Sequence, residues 1–162
     1  MADSRKTKQA LADSLKKQLR SKPFSGISIA DICTSCGIRR KSFYYHFHDK
    51  YELVYWIFHT EWEAFHSVPA WENVAQLCEY LYENREFYRK VLCVEDQNCL
   101  GEYLHGWCRA ALAKTEDDFS ATFYADAFLC AVKRWLCTRP TMAPQAFASQ
   151  LYTCIKYGRC SV

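Results

Sequence analysis

The sequence predicts an all-α protein in which an amino-terminal three-helix unit built on a helix-turn-helix precedes a larger helical domain. Three observations lead there. Apolar residues recur at spacings of three and four along most of the 162 residues. Two short apolar-faced segments flank Gly37. Charge is concentrated at the front: residues 1–50 hold 11 Lys plus Arg against 4 Asp plus Glu, and residues 51–162 hold 10 against 14. A basic front third suits a polyanion partner, and the weakly acidic remainder suits another task.

Each element follows from its pattern. Leu11, Leu15 and Leu19 recur every four residues with Lys8, Lys16, Lys17 and Arg20 on the other faces, which predicts a first helix over roughly 6–22, stopped by Pro23, Ser25 and Gly26. Ser28 stands as an N-cap with Asp31 three residues on, and Ile29, Ile32, Cys33 and Cys36 form the buried side of a second, short helix that Gly37 ends. A third helix spans roughly 41–46, with Phe43 and Phe47 directed at the same core. Asp49 and Glu52 form a capping box for a longer fourth helix through Leu53, Trp56 and Ile57. Beyond it, "NVAQLCEYLYENREFYRKVL" and "TEDDFSATFYADAFLCAVKRWLC" read as helical. The second carries Phe119, Phe123, Ala127, Leu129 and Trp135 on more than one face, so it is expected to be buried on several sides. Pro144 fits the first turn of a last helix carrying Phe147, Leu151 and Ile155, with Gly158 at its end.

A short helix, a glycine turn and a second short helix form the helix-turn-helix pattern, whose second helix lies in the DNA major groove. That explains "CGIRRKSFYYHF". Arg39, Arg40 and Lys41 stand at the amino-terminal end of the reading helix, where a guanidinium can meet guanine or phosphate. Tyr44 and Tyr45 point away from the core rings and can offer hydroxyls to phosphates. His46 and Lys50 are expected to reach the DNA backbone. Residues 1–50 are therefore expected to be the DNA-binding domain and residues 51–162 the effector and dimerisation domain.

The run "ISIADICTSCGIRRKSFYYHFHDKYELV" resembles the DNA-binding domain of the tetracycline-repressor (TetR) family of bacterial regulators over about the first 55 residues. The resemblance rests on the aspartate–isoleucine pair of the second helix, on Gly37 and Ile38, on the string Phe43 to Phe47, and on Lys50, Glu52 and Leu53. It implies a TetR-like fold and DNA contacts from Ser28, Arg40, Ser42, Tyr44, Tyr45, His46 and Lys50. It also implies a homodimer, paired through its last two helices, on a palindromic operator. Arg39 and Lys41 depart from the small residues usual there. "YENREFYRKVLCVEDQNCLGEYL" and "FYADAFLCAVKRWL" resemble the subgroup that includes activators of dihydroxyacetone-kinase operons, which implies control by a small molecule or by a coactivator protein.

Other classes find less support. Neither a secretory leader nor a run of about 20 apolar residues is present, so a cytoplasmic chain with no membrane partner is expected. The ten cysteines read as reduced packing residues rather than a disulfide scaffold. Cys33 and Cys36 form a CxxC, but His46 and His48 are one residue apart and no second pair stands at zinc spacing, so both read as core and no metal or other cofactor is expected. No cysteine is accompanied by the pattern of a thiol enzyme, and no catalytic residue is expected. A helical adaptor without DNA binding and a thiol-responsive regulator are the alternatives. Finally, Tyr55, His59 and Trp62 at spacings of four and three, facing Tyr103 and Trp107, are expected to line a mostly apolar effector pocket.

Overall fold

The computed structural model describes residues 2–63, 73–92, 99–114, 116–138 and 142–158. Among them the elements are α1 (Ala2–Leu19), α2 (Ile29–Cys36), α3 (Arg40–His46), α4 (Lys50–Phe58), α5 (Val74–Glu83), α6 (Arg85–Leu92), α7 (Cys99–Leu112), α8 (Asp118–Cys137) and α9 (Pro144–Gly158). The fold is all-α, as the periodicity requires.

The amino-terminal unit is built by local chemistry that the sequence displays. Leu11, Leu15 and Leu19 are buried on one side of α1, which starts earlier and stops earlier than its leucine spacing indicates. Its last turn unwinds at Arg20 to Lys22, and a one-turn 3₁₀ segment, Phe24–Gly26, then buries the Phe24 ring. Ser28 and Asp31 form a reciprocal capping box at the start of α2. At its end Gly37 takes the left-handed conformation, with φ of 69°. Ile38 N–H then reaches the Cys33 carbonyl and Gly37 N–H the Thr34 carbonyl, a Schellman closure.

Seven residues are too few for a helix to persist alone, so α3 depends on its anchors. Phe43 is wholly buried and Phe47 almost so, each contributing about 1.5–3 kcal/mol by burial. Asp49 caps α4 by accepting from the N–H groups of Tyr51 and Glu52. The Glu52 arm of the expected capping box differs by one residue, because Glu52 accepts from His48 N–H.

Beyond α4, α7 packs along α8 and α5 along α9, while at the front of the chain α1 packs on α2 and touches α4 and α6. Asn84 breaks the "NVAQLCEYLYENREFYRKVL" stretch into α5 and α6: its backbone N–H and its side-chain amide both donate to the Tyr80 carbonyl. α4 runs on into a π-helical turn, His59–Glu63. Asp117 caps α8 by accepting from Ser120 N–H at 3.0 Å.

One expectation about α8 is corrected. It is not covered on all its apolar sides within the chain, since Phe119 is 79% and Phe123 58% exposed, with Ala127 and Cys130 exposed further along the same side. Trp135 faces the opposite way. It stacks on Phe147 at 4.4 Å and donates its indole N–H to the Met142 carbonyl, closing α8 onto α9.

The cysteines also divide. Cys33, Cys36, Cys78, Cys108, Cys130 and Cys154 are free thiols. Cys137 is disulfide-bonded, so the fully reduced reading does not extend to it. Among the described residues, no helix is long and apolar enough to cross a membrane.

Candidate nucleic-acid interface

The outward side of α3 and its approach carries Arg39, Arg40, Lys41, Tyr44 and Tyr45, all exposed. Tyr45 is 83% exposed and Tyr44 50%, although both flank the buried Phe43. Helical periodicity separates them: Phe43 and Phe47 share the inner face, and the two tyrosines fall outside it. An exposed pair of large rings on a short helix is unusual for a solvated surface and suits a partner that covers it.

The cations on this face are unevenly held. Arg39 sits at the N-cap of α3 with its side chain uninvolved in capping, and neither Arg39 nor Lys41 forms a side-chain hydrogen bond or ion pair among the described residues. Arg40 lies one helical turn before Tyr44, donating to its hydroxyl at 3.2 Å with the guanidinium 5.8 Å from the ring centre. That contact aligns the guanidinium along the outer face and ties the two side chains into one surface. Ser42 and His46 are half-buried at the edges of the array, with the His46 ring packed edge-on against Tyr45 at 4.9 Å.

Two of the expected contacts are engaged inside the protein. Ser28 gives its hydroxyl proton to the Asp31 carboxylate at 2.7 Å and accepts from Asp31 N–H. The Ser28 hydroxyl and then the Ser28 backbone N–H, both donating to it, hold the Asp31 carboxyl below its ordinary range. Lys50 donates to the carbonyls of Phe24 and Ile27 at 2.8 and 2.9 Å, with its ammonium 4.5 Å from the Phe24 ring centre. The lysine therefore fastens the start of α4 to the turn that leads into α2. Sequence reasoning missed this role, because only the 3₁₀ turn brings those carbonyls within reach.

Cys33 and Cys36 lie beneath the interface as packing residues. Cys33 is buried, which raises its thiol pKa, and Cys36 directs its sulfur at the Ile32 carbonyl at 3.2 Å. Deeper in the second domain, burial pushes the Cys78 and Cys108 thiols up to about 12.

The five residues expected around an effector pocket separate into two groups. Tyr55, His59 and Tyr103 come together, with Tyr55 edge-on to Tyr103 at 5.1 Å and to His59 at 5.6 Å. Trp62 is buried against Phe58 and Tyr80, and Trp107 is buried against Phe128, so these two indoles belong to the packed core. The π-helical turn accounts for Trp62: widening the helix after Phe58 breaks the α-helical phase on which a shared face with Tyr55 depends. Three clefts bounded by described residues lie elsewhere. One of about 210 Å³ separates Lys16 of α1 and Arg20 just beyond its end from Glu83, Asn84 and Phe87. One of about 310 Å³ lies over His105 and Asp126. The third, of about 320 Å³, is lined by Arg5, Lys8 and Trp56.

Comparison with known proteins agrees with this architecture. Residues 11–55 match the family described as "Bacterial regulatory proteins, tetR family", and residues 70–157, more than half of the chain, match its "Transcriptional regulator C-terminal region". The chain is 31% identical over 106 residues to the HTH-type dhaKLM operon transcriptional activator DhaS of Lactococcus lactis subsp. lactis (strain IL1403). That match takes in 62% of this chain and 56% of the relative, so the chain spans little more than half the length of the curated relative it matches. Two solved structures share the fold. A dihydroxyacetone kinase operon activator DhaS superposes with a TM-score of 0.66 at 22% identity, covering 94% of this chain and 95% of that one. A TetR transcriptional regulator from Streptococcus agalactiae 2603V gives 0.70 at 20% identity, covering 95% and 96%. With both halves of the chain matched in order and the helical architecture shared, the chain belongs to the tetR family of bacterial transcriptional regulators.

Proposed function

We propose that this regulator reads duplex DNA with α3, residues 1–50 forming the reading unit and residues 51–162 the effector and dimerisation unit. The observation that carries the reading is the array of Arg39, Arg40, Lys41, Tyr44 and Tyr45 exposed on a helix whose inner face is fixed by Phe43. Arg40 is the base-reading candidate, because its Tyr44 contact holds a planar fork along the outer face. Arg39 and Lys41 serve phosphates, together with Tyr44, Tyr45, Ser42 and His46. Ser28 and Lys50 reach phosphates from the edges, each while also holding its internal partners.

The same reading makes the molecule a homodimer on a palindromic operator. Phe119, Phe123, Ala127 and Cys130 form an exposed, mostly apolar stripe along α8, and a symmetric partner would cover it. Two reading helices then sit about 34–36 Å apart, one turn of DNA, or at a multiple of that spacing. Control enters through the helical domain, from a small molecule at the Tyr55, His59 and Tyr103 cluster or from a partner protein. The names of the Lactococcus relative, a dhaKLM operon activator, and of the solved dihydroxyacetone kinase operon activator make activation of such an operon the specific form of this reading.

Selection from a random-sequence duplex pool with the full chain is the direct test. Enrichment of an inverted repeat, abolished by Arg40→Ala combined with Tyr44→Ala, is expected. No enrichment over bulk DNA would contradict the proposal.

A further inference from the structure

Away from the reading face, a chain of polar groups crosses from the second domain into α1. Tyr88 of α6 is wholly buried, and its hydroxyl lies 2.6 Å from that of Tyr80 on α5. Tyr80 donates to Glu61 Oε2 at 2.9 Å, and the other carboxylate oxygen of Glu61 is taken by the ammonium of Lys16 on α1. Since Tyr80 has one proton and gives it to Glu61, Tyr88 must be the donor between the two phenols. Burial pushes both phenols well above their ordinary range, so they stay neutral and the order of donors is fixed.

A second grip lies nearby. Lys90 of α6 donates to the Leu19 carbonyl at the end of α1 and reaches the Lys22 carbonyl at 3.5 Å, a cation placed on orphan carbonyls of a helix end. On the far side of α1, Ser14 is the polar residue buried in this core, and it donates to the Ile32 carbonyl of α2 at 2.7 Å. Thus α1, which contributes nothing to the reading array, is held by the second domain on one side and holds α2 on the other.

We propose that Lys16, Glu61, Tyr80, Tyr88 and Lys90 are positioning residues for DNA reading. They set the seat of α1 and, through the Ser14 to Ile32 bond, the seat of α2 and α3. Operator affinity is then governed by a joint that no base or phosphate touches. Removing the Tyr80 hydroxyl leaves the buried Tyr88 proton without its acceptor and takes the phenol donor from Glu61 Oε2 while Lys16 keeps Oε1, and displacement of the π-helical turn and α1 is the motion that resatisfies them. The inference rests on the DNA-binding reading above.

The test uses the full chain with two variants, Tyr80→Phe and Lys90→Met, and the exposed neighbour Tyr82→Phe as a control. Two readouts are taken: amide hydrogen exchange, and affinity for the inverted repeat recovered by selection. Exchange should quicken in α1 and α2 by roughly tenfold in both variants, ahead of any change in α8. Affinity should fall by roughly tenfold with an unchanged salt slope, since no phosphate contact is lost. The control should move neither readout. Unchanged exchange in α1 and α2, equal loosening of every helix, or a flattened salt slope would each overturn the proposal. If the wild type binds no duplex, the DNA reading fails by itself, and the exchange arm still decides whether this joint seats α1.

Discussion

Lys50, proposed above to reach phosphate, is also a structural clamp. Its ammonium donates to the Ile27 carbonyl and to the Phe24 carbonyl, which also accepts from Ile27 N–H, and hydrogen bonds from a charged donor contribute about 1.5–3 kcal/mol each at most. Lys50→Met should therefore lower unfolding free energy by about 1.5–3 kcal/mol in a urea titration. If the residue serves phosphate alone, stability will be unchanged and only DNA affinity will fall. A second residue-scale expectation concerns acid. Asp31 is held below its ordinary value of 3.8 by the Ser28 bonds, and Asp117 by those of Ser120. A depressed carboxylate contributes its stabilisation fully above the unfolded value and loses it as pH falls through the folded one. Both caps should hold at pH 5 and fail only below about 3.8, a loss that thermal melts at stepped pH would detect and that Ser28→Ala should reduce.

At the scale of elements, the legible parts were those whose cause is local. The capping box at Ser28, the glycine stop and the division of rings between Phe43 and Tyr44 each depend on residues within a few positions, so the sequence displays them. The break at Asn84 is made locally by its two bonds to the Tyr80 carbonyl, whereas the π-helical turn and the open side of α8 depend on packing partners far away in the chain, and no local pattern announces them. Trp62 accordingly packs against Phe58 and Tyr80 rather than beside Tyr55. The two glycines test the local part of the account. Nothing lies within 4 Å of a Cβ built on Gly37 or Gly106, so substitution at either meets no neighbour. Gly37 has φ of 69°, and alanine there should destabilise by about 1–2 kcal/mol through backbone strain alone. Gly106 lies inside α7, where alanine should stabilise by about 0.5–1 kcal/mol. Melting temperatures moving in opposite directions would verify both; a shared direction would refute the backbone argument.

The whole molecule is expected to work as a pair of reading heads, and the α8 stripe allows assembly to be separated from folding. Phe119→Glu with Phe123→Glu should give a folded monomer by light scattering, because both rings are exposed within the chain. Trp135→Glu should instead unfold it, because that indole is stacked inside. Charge segregation is legible in the sequence, with α3 in the basic first fifty residues and an acidic remainder, because long-range segregation survives any detail of packing. A solvated lysine-rich face would give the same count, so charge assigns no domain role by itself. The central claim is that the exposed cations of α3 and its edges neutralise DNA phosphates, and a salt titration of duplex affinity with the wild-type chain tests it most directly. About six to ten phosphate contacts should cost roughly a thousandfold or more in affinity between 50 and 200 mM salt, with a shallower slope for Lys41→Ala. Affinity that stays flat across that range would contradict it.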